Sequence, residues 1–250
     1  MNEIQQLAPR KIQYLKWFDL LILTVLMFGF AIIASTFGYL DLISGKTTNE
    51  QAVSFSTEEN YIQFIIQSIT LLLAFLYLKW RKFDFKSWTI KPSLKGIGQA
   101  IGIFIIAALA LDIYTLLVNA LINSPLDVVD ESKDSLLPWV IDFSTILHYL
   151  LNGFYEEIFF LGICLALKPE YLKWTLFYSL IIRFSFHTYQ GMEAALGIGF
   201  IYGMLMYVMY KKINTNNIFA FGLAHSFADI IGLGILSYVA YGFKAMGVIG

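Results

Sequence analysis

Apolar positions in this chain fall in long unbroken blocks, without the alternation of a half-buried strand or the single stripe of a surface helix. Seven blocks stand out, at about 17–40, 61–79, 97–122, 138–167, 173–189, 192–210 and 217–237. Runs of about 20 apolar residues are long enough to cross a hydrocarbon core of about 30 Å as helices. The pattern predicts an all-α, polytopic transmembrane helix bundle of about seven spans, or eight if residues 238–250 form a partial one. Continuous rather than alternating runs argue against a β-barrel. The 250 residues read as a single integral-membrane domain whose half at 138–237 carries the unusual polar residues.

The segments between the blocks predict an orientation. Arg10, Lys11 and Lys16 precede the first block, and Lys79, Arg81, Lys82, Lys86, Lys91 and Lys95 crowd the second connection. Lys168 and Lys173 flank the fourth, and Lys211 and Lys212 begin the sixth. The first and third connections are acidic, with Glu50, Glu58 and Glu59 in one and Asp127, Asp130, Glu131 and Asp134 against Lys133 in the other. Basic connections stay in the cytoplasm, so the N-terminus is expected inside and the chain in the cell membrane. The first block is too long for a typical signal-peptide core and reads as an uncleaved anchor. With 58% hydrophobic and only 14% charged residues, the basic stretch at 79–95 is explained by topology, and nucleic acid is not an expected partner. The single cysteine, Cys164, implies no disulfide framework.

Against this background a few ionisable residues are out of place. An ionisable residue mid-span costs about 2.5–3.5 kcal/mol on insertion scales and is a functional candidate by default. Glu156 and Glu157 lie in the fourth block, Arg183 and His187 in the fifth, His225 and Asp229 in the seventh. With about 1.5 Å of rise per residue, Glu156 lies roughly 18 Å above Lys168 and His187 roughly 21 Å above Lys173. By the same measure His225 and Asp229 lie roughly 12 and 18 Å above Asn217. Three helices thus bring charged groups to one level, as a shared polar cavity requires. His225 and Asp229, four apart, project from one helical face, as do Arg183 and His187. The adjacent Glu156 and Glu157 point about 100° apart, so one is expected to face the cavity while the other holds a neighbouring helix.

"EEIFFLG", "FSFH" and "HSFAD", each on its own block, resemble the CPBP family of intramembrane endopeptidases, which includes the type II CAAX prenyl endopeptidases and the bacteriocin-processing or self-immunity (Abi) proteins. The resemblance covers roughly residues 138–237. It places Glu156 and Glu157 at the family's glutamate pair, His187 at the second motif, and His225 and Asp229 at the third, as the catalytic set. Two positions depart: Leu161 stands where arginine is usual, and Arg183 stands where phenylalanine is expected. An isolated buried arginine is costly, so Arg183 is expected to pair with Glu157 in place of the missing cation.

The chemistry implied is hydrolysis of a membrane-associated peptide or lipidated protein tail. Glu156, assisted by His187, would take a proton from the attacking water, because a carboxylate drawn out of bulk water is a better base. His225 would donate to the developing oxyanion, and Asp229 would orient its imidazole or, if protonated, donate as well. No cofactor is expected; zinc held by the histidines and carboxylates is the competing mechanism. Other readings stand beside this one. The acidic pair can be a structural clamp on Arg183, the chain a catalytically degenerate immunity or regulatory protein that binds other membrane proteins, or the polar residues a proton relay in a transporter. His148 is expected to hydrogen-bond a neighbouring helix, Asp142 to be structural, and Ala195, Gly199 and Gly203 to allow close helix approach.

Overall fold

A computed structural model describes residues 11–48, 55–122, 142–213, 217–232, 234–236 and 238–239. Seven helical segments follow the seven apolar blocks. They are α1 (Trp17–Ile43), α2 (Thr57–Trp80), α3 (Leu94–Ile122), α4 (Phe143–Ala166), α5 (Leu172–Ser185), α6 (Met192–Ile213) and α7 (Phe219–Ile231). Among the described residues five of them, α1, α2, α3, α4 and α6, are long and apolar enough to cross a membrane. The other two fall short of the expected spans: α5 has 14 residues and α7 has 13, below the roughly 20 that a crossing needs. Apolar character runs on past both helices, but the backbone turns first, at Phe186 after α5 and at Gly232 (φ 92°) after α7. Among the described residues α4 begins at Phe143 after Asp142, and positions 138–141 of the expected span lie outside them. The acidic third connection and almost all of the C-terminal piece at 238–250 lie outside the described residues, as do Arg10 and Glu50.

The bundle is arranged around α4. Of its most apolar 18 residues 61% are buried, against 11% for α2. The outward rows of the peripheral helices, such as Ile62, Ile65, Ile69, Leu72 and Leu76 on α2, are exposed hydrophobics suited to lipid. Buried positions include Glu156, Glu157, Arg183, His187 and His225. Helices in lipid gain little from hydrophobic association, so close packing depends on small residues. A Cβ at Gly153 of α4 would lie 2.5 Å from the Gly222 carbonyl of α7, and one at Gly199 of α6 would lie 2.7 Å from the Phe184 Cα of α5. The stripe of Ala195, Gly199 and Gly203 does serve close approach, with Gly203 against Leu180 and Arg183.

One end of the bundle is stitched shut. The Ile12 amide donates to the Lys82 carbonyl (3.0 Å), Leu15 to Ala166 (2.9 Å) and Ile218 to Thr89 (2.9 Å). Arg81 donates twice to the fully buried Asp19, at 2.5 and 3.0 Å, and the Tyr77 hydroxyl donates to the same carboxylate at 2.7 Å. These contacts gather the start of α1 with the connections α2–α3, α4–α5 and α6–α7, which are the segments that carry the basic residues.

Candidate active site

Two departures from regular helix shape the site. α4 is α-helical through Glu157 and then widens into a π turn over Ile158–Ile163, a feature frequent at functional sites. α6 contains a second π turn, Gly197–Tyr202. The tight crossing at Gly153 and Gly222 brings α4 and α7 together beside the glutamates and His225.

Arg183 is the hub, 2% exposed. Its Nη2 donates to Glu157 Oε1 at 2.9 Å and its Nη1 to Glu156 Oε2 at 3.5 Å. The guanidinium lies 4.0 Å from the centroid of the Phe160 ring. The expected pairing of Arg183 with Glu157 is therefore present. Leu161 borders the same small cleft as Arg183, so the residue at the departed motif position adjoins this cation.

His225 lies against three carboxylates. Its Nδ1 is 2.8 Å from Glu157 Oε1, and its Nε2 is 3.6 Å from both Glu156 Oε2 and Asp229 Oδ1. The expectation that the adjacent glutamates address different points is thus corrected: both reach Arg183 and His225, because a long guanidinium and a bridging imidazole span the angle between them. They still differ in access. Glu156 lines a cavity of about 1220 Å³, together with His187, His225, Asp229 and Tyr202, whereas Glu157 has no exposed surface.

His187 is placed differently from the sequence expectation. It does not share a helix face with Arg183, since α5 ends at Ser185 and His187 sits in the following turn. Its Nδ1 lies 2.7 Å from the Arg183 carbonyl. A carbonyl only accepts, so Nδ1 carries the proton and Nε2 is left as an acceptor. Among the described residues His187 makes no ion pair with a carboxylate; it shares the cavity with Glu156 without a hydrogen bond to it. The turn is pinned to α1 by Ser35, whose hydroxyl lies 2.9 Å from Thr188 Oγ1 and accepts from the Tyr189 amide at 3.0 Å.

Two further residues, Asn152 and Tyr202, belong to the site. The Asn152 amide donates to Glu156 Oε1 (3.1 Å) and to Asp229 Oδ2 (2.9 Å), and its carbonyl accepts from Gln67 of α2 (2.6 Å). Its spacing of four before Glu156 was the available signal. The Tyr202 hydroxyl is buried, lines the cavity and has no hydrogen-bond partner among the described residues. Nothing marked it among 15 tyrosines. His148 Nδ1 pairs with Asn60 of α2 at 3.0 Å, the helix-to-helix role expected of it. Asp142 accepts from Thr57 at 2.9 Å and from Ser144, joining the starts of α2 and α4. Among the described residues no group of three or more His, Cys, Asp or Glu is arranged to hold a metal ion. Nδ1 of His225 is committed to Glu157, and the Arg183 charge beside Glu156 opposes a second cation.

Residues 136–231 match the family model described as type II CAAX prenyl endopeptidase Rce1-like. The match bears out the resemblance read from the motifs, over much the same segment. No curated protein and no solved structure matches the chain. With its apolar helices and this family segment, the chain is a multi-pass membrane protein, and the family it resembles is one of peptide hydrolases.

Proposed function

We propose that this chain is an intramembrane endopeptidase that hydrolyses a membrane-associated peptide or lipidated tail with a water activated by Glu156. The observation that carries the reading is the division of labour between the two glutamates. Glu157 is sealed behind the cavity and tied to Arg183 and His225, while Glu156 opens onto the cavity beside His225 Nε2. One carboxylate builds the site and the other faces the cavity.

In this reading a water in the cavity attacks the scissile carbonyl carbon and loses a proton to Glu156. The Nε2 acceptor of His187 helps to orient that water. Negative charge moves onto the carbonyl oxygen, where the Nε2–H of His225 in its imidazolium form, its Nδ1–H held by Glu157, and the Tyr202 hydroxyl are donors. Collapse breaks the C–N bond, the proton held by Glu156 passes to the leaving nitrogen, and a carboxylic acid and an amine result, the acid then giving its proton to the amine to leave a carboxylate and an ammonium group. Asp229, held by Asn152, orients His225 from 3.6 Å away. Arg183 stands in for the family's usual arginine by balancing Glu157. No step runs through a metal; cleavage abolished by a chelator and restored by zinc would favour the competing mechanism.

The test compares cells carrying wild-type protein, Glu156→Gln and His187→Ala at equal protein levels. Loss in both variants of peptide products present with the wild type supports an enzyme. An unchanged peptide profile with the phenotype retained in both supports the non-catalytic immunity or regulatory role instead.

A further inference from the structure

The geometry points to cleavage on the non-cytoplasmic side of the membrane, with an exported peptide, or the outer juxtamembrane stretch of a membrane anchor, as substrate. This rests on the peptidase reading above and adds the side from which the substrate arrives.

The cavity is polarised along the bundle. From Glu156 it extends along the second half of α1 to Thr47, along the first half of α2 from Phe55, and past Tyr114 and Thr115 of α3. It continues to Glu193 at the start of α6 and to Gly232 after α7. These are the ends of the helices remote from the stitched connections. In the other direction, below Glu156, the buried side chains of Phe159, Phe160, Ile163 and Cys164 fill α4's surroundings, and the backbone bonds at Lys82, Thr89 and Ala166 close that end. A substrate reaches Glu156 from the cavity end.

The charges say which end that is. Lys11, Lys16, Lys79, Arg81, Lys82, Lys86, Lys91, Lys95, Lys168, Lys173, Lys211 and Lys212 all lie at the stitched end or on the helix turns leading into it. At the cavity end, among the described residues, Lys46 is the one Lys or Arg outside the buried site, and it pairs with Asp41 at 3.1 Å. Lysine and arginine mark the cytoplasmic side, so the stitched end faces the cytoplasm and the cavity faces away. A lipidated tail on a cytoplasmic protein would meet the closed end.

The test has two arms. Single cysteines are introduced at Thr47 and Thr115, which line the cavity, and at Ser87 and Glu170, exposed at the stitched end. The native Cys164 is fully buried and serves as the unlabelled background. In intact cells a membrane-impermeant maleimide is expected to label Thr47→Cys and Thr115→Cys, and to label Ser87→Cys and Glu170→Cys only after permeabilisation. The reverse pattern overturns the inference whether or not the protein cleaves anything. In the second arm, single-span anchors carry the same mixed-sequence juxtamembrane library either outside or in the cytoplasm. Products that depend on Glu156 are expected from the outside library alone; products from the cytoplasmic library alone overturn it. No product from either, with labelling as expected, removes the peptidase reading and the substrate with it, and leaves the orientation standing.

Discussion

Arg183 offers the sharpest perturbation, because it is buried and its partners are known. Replacing it with Met keeps much of the packing on Phe160 but leaves Glu157, with no exposed surface, without its 2.9 Å donor, and Glu156 without its 3.5 Å neighbour. Removing one partner of a buried pair costs about 3–5 kcal/mol, because the other charge stays uncompensated. At about 2–4 °C per kcal/mol for a chain near this size, unfolding in detergent should shift down by roughly 6–20 °C, and cleavage should fall with it. The same reasoning predicts a rescue. Leu161 and Arg183 border one cleft, so Arg183→Phe combined with Leu161→Arg should recover most of the lost stability by supplying the cation from α4. Leu161→Arg alone should destabilise, since it places a second cation in that cleft. An Arg183→Met protein as stable as wild type would refute the reasoning, and so would a double variant no better than Arg183→Phe alone.

Three other changes separate positioning from chemistry. Asn152→Leu orphans groups on Glu156, Asp229 and Gln67, at about 1–3 kcal/mol for each one left buried; thermal unfolding and turnover should both decline. Tyr202→Phe removes a hydroxyl with no hydrogen-bond partner among the described residues, so stability should change by less than about 0.5 kcal/mol. If that hydroxyl meets the oxyanion, kcat should fall by about 10²-fold with KM little changed; an unaltered kcat would take Tyr202 out of the mechanism. Gly153→Ala forces α4 and α7 apart, at about 1–3 kcal/mol or more for overpacking, and should lower both folded yield and cleavage. Its control is Gly29→Ala, where a Cβ meets nothing nearer than Val25 Cγ1 at 3.6 Å, and both readouts should stay at wild-type levels.

Helix positions were legible because the bilayer imposes a length on apolar runs, and the convergence of Glu156, Glu157, His225 and Asp229 because buried charge must have company. The pairing of Arg183 with Glu157 followed from the same cost. Helix ends were less legible. The apolar residues after Ser185 and Gly232 continue the hydropathy of α5 and α7, and only the backbone turns there take His187 off its helix. The π turns after Glu157 and before Gly203 leave no mark in an already apolar stretch. Side-chain reach was likewise invisible: the spacing of Glu156 and Glu157 sets their angle on α4 but not the length of the guanidinium that joins them. Tyr202 was hidden because tyrosine is common throughout the chain, and its lack of a partner among the described residues is a property of the fold.

The most direct measurement is the isotopic label of the new C-terminus. Purified protein in lipid vesicles, given a cleavable membrane peptide in ¹⁸O-enriched water, should place one solvent oxygen in the carboxylate released at each cleavage. Glu156→Gln, folded to the same extent, should yield no labelled product. Labelled product from Glu156→Gln at the wild-type rate would contradict the assignment of Glu156 as the group that activates water.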